Sequence, residues 1–498
     1  MYGPREKVFW FAVTSRLVVI SLQFIFNRIF PDHDAHVFNS PLDPEMKTSI
    51  YDSTVEYLFG GFLRWDAQYF IHIAKYGYTY EKTLAFYPLY PLCIRCLSVV
   101  LRVVFFSLND HSIAILAALL INFVCFVKSA TVFYDLSKIV LKDTALAYKA
   151  AILYCINPAS IFFSAFYSEA MFAWLSFNIM LAYVNNNPYI YLPIGLSILV
   201  RSNGLINLGY PVYSFVRCLI RTVLPKVSRN YQNFQAEPIF PFGCRTMLGS
   251  FLWLSNVVFL SIVPYILHQL YNYSLYCTYH EVTIPDYVLN HSDEDVLLIP
   301  GTVIPPWCKD SIPVAYSYIQ AEYWNVGFMR YWIFKNLPNI LLGFPSLYLI
   351  LCQSFKYLSE HRIQLYTLGS FSTDVRNCEK SKNKKLSPDI FVFVVHGICL
   401  VLICLGFVHL EVSTRLLCSA SPLLYWCCAS KLSYKSERRN ENAMNAMDFE
   451  YPENLNSKWR VFFLSQTTHS KNDIIILSYY LAYTGIGCGM FSNNLPWT

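Results

Sequence analysis

Charge is what this chain lacks. Asp, Glu, Lys and Arg make up 14% of its 498 residues, against about a quarter in a soluble domain, and that deficit excludes an ordinary water-facing globule. A Gly-rich phosphate loop, a paired Walker-type motif and a nucleophile elbow are also missing, so the sequence gives no sign of phosphate-loop or serine-nucleophile chemistry. What is present instead is apolar and aromatic: 55% hydrophobic residues and 17% Phe, Trp and Tyr, with a mean hydropathy of +0.36. Rings in such numbers suit a protein that settles them at headgroup depth. The composition therefore predicts a polytopic membrane protein.

The formal net charge of +6 does not imply nucleic acid, because the basic residues fall in short loops between apolar runs. Their distribution fits orientation by the positive-inside bias. Of the 16 cysteines, most lie inside apolar runs, among them Cys399, Cys404, Cys418, Cys427 and Cys428, where Cys behaves as a small hydrophobe. Cys93 and Cys96 have metal-site spacing, yet no second pair follows. The basic start MYGPREK leads into an apolar run to about Phe30, which reads as a retained signal anchor.

Candidate membrane spans are residues 8–30, 89–106, 112–134, 148–166, 171–184, 189–220, 248–270, 331–352, 390–410, 415–429 and 474–490. Several run together, so the expectation is an all-α bundle of roughly 9–11 transmembrane helices. Residues 353–387 and 431–471 are rich in Lys and Arg and should be cytosolic. Segment 271–328 has Lys309 as its only basic residue against Glu281, Asp286, Asp293, Glu294, Asp295, Asp310 and Glu322, and should face the lumen. Both glycosylation sequons, at Asn272 and Asn290, fall there, as do Cys277 and Cys308, for which that compartment permits a disulfide. With a cytosolic N-terminus, residues 31–88 share the same side. The division expected is a catalytic core over 1–430 with lumenal loops 31–88 and 271–328, a cytosolic polar loop over 431–471, and a final helix and tail over 472–498.

Chemistry has few places to reside. In RWDAQYF, residues 64–70, Asp66 stands beside Trp65 and Tyr69; partial desolvation there would raise its pKa towards the range of a general base, while the plainer reading is a loop acid paired with Arg64. Tyr167-Ser168-Glu169 sets an acid between two spans, either functional or a helix start with Ser168 as cap. Arg201 and Asn203 interrupt an apolar run; Arg201 either holds a phosphate or a carboxylate such as Glu169, or snorkels to a headgroup. Arg415 stands four residues after Glu411, a spacing that pairs them on a helix. Trp324 and Asn325, near Glu322 and Arg330, close the acidic segment and would also serve as interface anchors. Asp32, His33, Asp34 and His36 look like a metal cluster but lack further ligands at defined spacing, and read as a solvated turn.

Taken in order, RWDAQYF with KYGY and AFYPLYPL, then NPASIFFSAFYSEAMF, RSNG, YWNVGFMRYW and STRLLCSASPLLYW, resemble the PIG-V family of GPI mannosyltransferases. The likeness runs from about residue 60 to 430; residues 225–245 and 431–471 carry no family signature. The resemblance implies a GT-C-like transmembrane glycosyltransferase of the endoplasmic reticulum with a lumenal active site. It implies a dolichol-phosphate mannose donor, a GPI precursor glycolipid as acceptor, and inverting transfer of the second, α1,6-linked mannose. Asp66, in the first lumenal loop, takes the family's place for the essential aspartate and is expected to be the catalytic base. Trp65, Tyr69 and Tyr87, together with Tyr76 and Tyr78, would pack sugar and isoprenoid. Glu169, Arg201, Asn203, Trp324, Asn325 and Arg415 complete the expected substrate-binding set.

No cofactor is required by such a scheme, a metal is neither demanded nor excluded, membrane lipid is a further expected partner and nucleic acid is not, and an accessory membrane subunit stays open. Two rivals use the same composition: a lipid-linked sugar transporter, which also breaks helices with Pro and buries charge, and a dolichol-phosphate-mannose-dependent enzyme acting elsewhere on the anchor. A non-catalytic scaffold is a third.

Overall fold

The computed structural model describes residues 2–35, 37–223, 247–278, 284–295, 297–369, 388–432, 461, 464 and 469–497. His36, Glu281, the 225–245 insert, the basic stretch from Asp374 to Lys385 and nearly all of 431–471 lie outside the described residues. Helices and short 3-10 turns make up the ordered elements, with no strand among the described residues. In chain order the helices are α1 (Pro4–Ile29), α2 (Ile50–Phe59), α3 (Asp66–Tyr76), α4 (Leu89–Val104), α5 (Asp110–Leu141), α6 (Thr144–Cys155), α7 (Glu169–Val184), α8 (Tyr191–Val200), α9 (Gly209–Val223) and α10 (Met247–Cys277). They continue with α11 (Asp286–Asp295), α12 (Ala315–Trp324), α13 (Leu337–Glu360), α14 (Arg362–Tyr366), α15 (Phe391–Phe407), α16 (Leu410–Ala420), α17 (Leu423–Lys431) and α18 (Lys471–Ser492).

The chain is an all-α polytopic membrane protein. Five of these helices, α1, α5, α10, α13 with its preceding turn, and α18, are long and apolar enough to cross a bilayer. Four shorter apolar helices, spanning Thr144–Cys155, Glu169–Val184, Pro188–Val200 and Phe391–Phe407, accompany them. Several hydrophobic runs that read as single spans are thus divided. The run 148–166 stops at Cys155, because Pro158 has no N–H for a helical bond and the Asn157 side chain turns back, bonding Tyr154 O and the Ala159 N–H at 3.0 Å each. The run 189–220 breaks where Arg201 adopts extended backbone (φ −154°, ψ 150°), and 415–429 divides at Ser421-Pro422.

Broken helices at membrane depth need partners for their freed carbonyls. Here Arg16 of α1 supplies them. Its buried guanidinium donates to Cys155 O at 3.0 Å, Ser160 O at 2.8 Å, Ser160 Oγ at 3.1 Å and Ser164 Oγ at 3.0 Å, and stacks 3.7 Å from the Phe126 ring centroid. Helix α5 is the central post, packed against α1, α4, α6 and α7.

The two polar segments that charge and sequons assign to one side are joined. Tyr80 Oη donates to Val288 O at 2.8 Å, the Glu81 N–H to Leu298 O at 2.9 Å, and Tyr276 Oη to Tyr78 O at 3.2 Å. Buried Glu81 accepts from Trp307 Nε1 at 2.8 Å and from Tyr323 Oη at 2.7 Å. Cys277 and Cys308 form a disulfide. Asn272 lies within α10, buried, with its amide 3.3 Å from His268 Nε2, whereas Asn290 on α11 is exposed. Beneath this cap, His72 is enclosed between Ser40 Oγ (3.1 Å) and Thr79 Oγ1 (2.7 Å). Burial, aided by Lys75 and His291, pushes its imidazole down to about 3.

Candidate active site

Helix α3 starts at Asp66, and the residue before it is under backbone constraint. Trp65 sits at φ 53°, ψ −124°, a region that residues with a Cβ seldom enter and that clusters at functional sites. Tyr167 grips this turn: its Oη accepts the Asp66 N–H at 3.1 Å and donates to Arg64 O at 3.4 Å. The Asp66 carboxylate is thereby held at a helix N-terminus, where the dipole favours negative charge.

Arg64 is not its partner. The Arg64 guanidinium reaches Asp32 at 2.7 Å, and Asp66 Oδ2 instead accepts from Arg415 Nη1 at 2.9 Å; Oδ1 makes no hydrogen bond among the described residues. Arg415 lies between two rings, its guanidinium carbon 5.2 Å from the Phe162 centroid and 5.3 Å from that of Tyr167. Its Nη1 is also 3.6 Å from Glu169 Oε1, and the same oxygen is ion-paired to Arg201 Nη1. Arg201 adds a 3.4 Å bond to Ser168 Oγ. Charges thus alternate along Asp66, Arg415, Glu169 and Arg201, two acids against two cations. Glu169 is fully buried, so its charge is tolerable only with both arginines in place.

This array flanks a cavity of about 580 Å³ whose walls include Trp65, Asp66, Tyr69, Tyr87, Arg201, Asn203, Trp324 and Arg415. The structure therefore gathers residues from α3, the turn after α8, the end of α12 and the middle of α16 into one site. Four of the residues singled out in the sequence stand elsewhere. Glu169 lies behind the wall and holds the arginines. Asn325 terminates α12 in a left-handed conformation (φ 52°), between wall residues Trp324 and Val326. Tyr76 and Tyr78 are also outside the cavity; their hydroxyls bond Pro41 O at 3.1 Å and Phe86 O at 2.8 Å. The Glu411–Arg415 helix pair does not form. Glu411 accepts from Tyr331 Oη at 3.2 Å and Asn339 Nδ2 at 2.8 Å, although it too faces the cavity.

Other wall residues were not assigned a role from the sequence: Lys82, Tyr167, Tyr316, His409 and Trp497. Lys82 was findable as a cation within an aromatic run; its Nζ is 5.5 Å from the Trp324 ring centroid and 5.7 Å from that of Tyr69. Trp497 reaches the site by the return of the chain after α18, which nothing in its local sequence announces. Among the described residues no group of three or more His, Cys, Asp or Glu is placed to hold a metal. Chemically, the cavity offers a carboxylate to accept a proton, cations to receive developing negative charge, and aromatic walls for sugar faces and lipid chains.

The chain is similar to known proteins, some of them over nearly its whole length. The profile of the family described as Mannosyltransferase (PIG-V) matches residues 5–498. GPI mannosyltransferase 2 of Drosophila melanogaster is 33% identical over 504 residues, covering 99% of this chain and 100% of the relative. GPI alpha-1,6-mannosyltransferase 2 of Homo sapiens is 33% identical over 518 residues, covering 99% of each. GPI mannosyltransferase 2 of Schizosaccharomyces pombe is 28% identical over 394 residues, 76% of this chain and 68% of the relative. No solved structure matches.

Proposed function

This chain belongs to the PIG-V mannosyltransferase family, and from that premise we propose that it transfers the second, α1,6-linked mannose of the GPI precursor from dolichol-phosphate mannose at the lumenal face of the endoplasmic reticulum. It is a glycosyltransferase of GPI-anchor biosynthesis; donor, linkage and compartment are the reading. The observation that carries it is the juxtaposition of Asp66, Arg415 and Arg201 on one cavity, with Glu169 behind the wall paired to both arginines.

The chemistry follows from those groups. The donor is β-linked and the product α, so one displacement with inversion suffices. Asp66 takes the proton of the acceptor 6-hydroxyl as that oxygen attacks the anomeric carbon, in the way a base activates water in inverting glycoside hydrolysis. The bond from the anomeric carbon to the phosphate oxygen breaks, and dolichyl phosphate leaves with the electron pair. Phosphate is a competent leaving group without an added proton. Arg415 and Arg201 receive its charge, and Glu169 positions both guanidinium groups. Trp65, Tyr87 and Trp324 supply faces for sugar and isoprenoid, whereas Tyr69, stacked between Phe38 at 4.4 Å and Phe86 at 4.6 Å, has both faces covered and supports the wall from within. The two lipid substrates reach the site by diffusing in the membrane plane.

The test uses microsomes from cells lacking the endogenous enzyme, which also supply any accessory membrane subunit. Labelled dolichol-phosphate mannose and a monomannosylated GPI precursor should yield a dimannosylated lipid, its new mannose sensitive to an α1,6-specific mannosidase. Correctly inserted protein that makes no such product, or that only moves the donor between leaflets, contradicts the proposal.

A further inference from the structure

The turn after α8 carries a polar group that the fold itself does not use. Asn203 lines the cavity, yet neither its amide oxygen nor its amide nitrogen has a hydrogen-bond partner among the described residues, and both are shielded from solvent. A buried amide left unpaired costs on the order of 1–3 kcal/mol for each group, and native folds keep few of them without a reason. The turn that bears it is firmly held. The Gly204 N–H bonds Arg201 O at 2.9 Å, and a Cβ on Gly204 would meet the Ser197 carbonyl at 2.5 Å, so the backbone is pressed against α8 where only glycine fits.

The surroundings indicate what the amide is for. Ser202 Oγ and Tyr316 Oη are 2.9 Å apart, Arg201 Nη1 bonds Ser168 Oγ, and the Tyr87 ring lies 5.5 Å from that of Tyr316. Ser168, Arg201, Ser202, Asn203, Tyr87 and Tyr316 thus form a wall of hydroxyls, one amide and two aromatic faces. An amide offers a paired donor and acceptor, the complement of two neighbouring hydroxyls on a pyranose ring.

Resting on the mannosyltransferase reading, we infer that Asn203 is a specificity-determining residue whose amide, shielded in the ligand-free fold, turns into the cavity to hydrogen-bond a hydroxyl pair of a bound hexose. The same chemistry is present on the donor mannose and on the terminal mannose of the acceptor, so the experiment has an arm for each. Transfer is measured with donors lacking one hydroxyl of mannose, and separately with acceptors lacking one non-reacting hydroxyl of their terminal mannose. Wild type is compared with Asn203→Ala and with Asn203→Leu, which keeps the volume and removes both polar atoms. Because the amide makes no hydrogen bond within the described fold, both variants should insert as wild type does, and Asn203→Leu, which removes an unpaired buried amide at constant volume, should melt no lower than wild type.

On native substrates each variant should lose about 10- to 100-fold in kcat/KM. Two deoxy analogues, lacking neighbouring hydroxyls of one sugar, should each cost wild type about 10-fold or more and cost the variants nothing further; the arm containing them identifies which sugar is read. Losses that multiply for every analogue, or variants with wild-type kcat/KM, overturn the inference and leave the mannosyltransferase intact. Absence of transfer by wild type overturns the mannosyltransferase reading, and this inference with it.

Discussion

At the residue scale, the site depends on charges that hold one another. Glu169 has no exposure and both arginines as ion partners, so Glu169→Gln leaves two cations without their buried counter-charge. Breaking such a pair costs about 3–5 kcal/mol. The variant should show a lower unfolding temperature in detergent and no transfer; adding Arg201→Gln should recover part of the stability and none of the activity. Equal stability of Glu169→Gln and wild type would contradict this role. His72 gives a second handle. Its value in the fold, about 3, lies below the ordinary 6.5, so the unfolded chain binds the extra proton across that window. Stability is full above about pH 6.5 and is lost as pH falls towards 3. Limited proteolysis of residues 31–88 should accelerate with acid over that range, with a flatter profile in His72→Gln.

Elements explain why the hydrophobic runs misled. Mean apolarity reads 148–166 and 189–220 as spans, but Pro158 and the extended backbone at Arg201 divide them, and the divisions are where Glu169, Arg201 and Asn203 enter the site. A sequence window averages over such breaks; the compensating group is Arg16, more than a hundred residues away. Its fork of donors serves two carbonyls and three hydroxyls, which a lysine ammonium cannot match. Arg16→Lys should destabilise the protein by about 1–3 kcal/mol and lower kcat/KM, because the segment it supports ends at Tyr167 and Glu169. Wild-type melting and kinetics in that variant would remove the argument.

At the scale of the whole molecule, much was legible early. Scarce charge implied a membrane protein, and ordered short motifs implied the family. Asp66, Arg201, Asn203, Trp324 and Arg415 come from distant stretches, and the fold places them on one cavity. Partners were less legible, since Asp66 could choose Arg64 next door or Arg415, 349 positions away; packing of Phe162 and Tyr167 around the guanidinium decides for the latter. The joined polar segments give a topological prediction. Asn290 is exposed and Asn272 is buried in α10, so an endoglycosidase mobility shift should vanish in Asn290→Gln and persist in Asn272→Gln. A shift lost with Asn272→Gln would contradict the arrangement.

The central claim concerns Asp66, and one measurement addresses it directly. Asp66→Asn keeps the shape of the side chain and removes its basicity, so in microsomes with equal expression it should still bind labelled dolichol-phosphate mannose. Transfer to the monomannosylated acceptor should fall at least about 100-fold, the contribution typical of a general base. Retention of wild-type turnover by Asp66→Asn would contradict the account, leaving the carboxylate as a partner for Arg415 and the base still to be found.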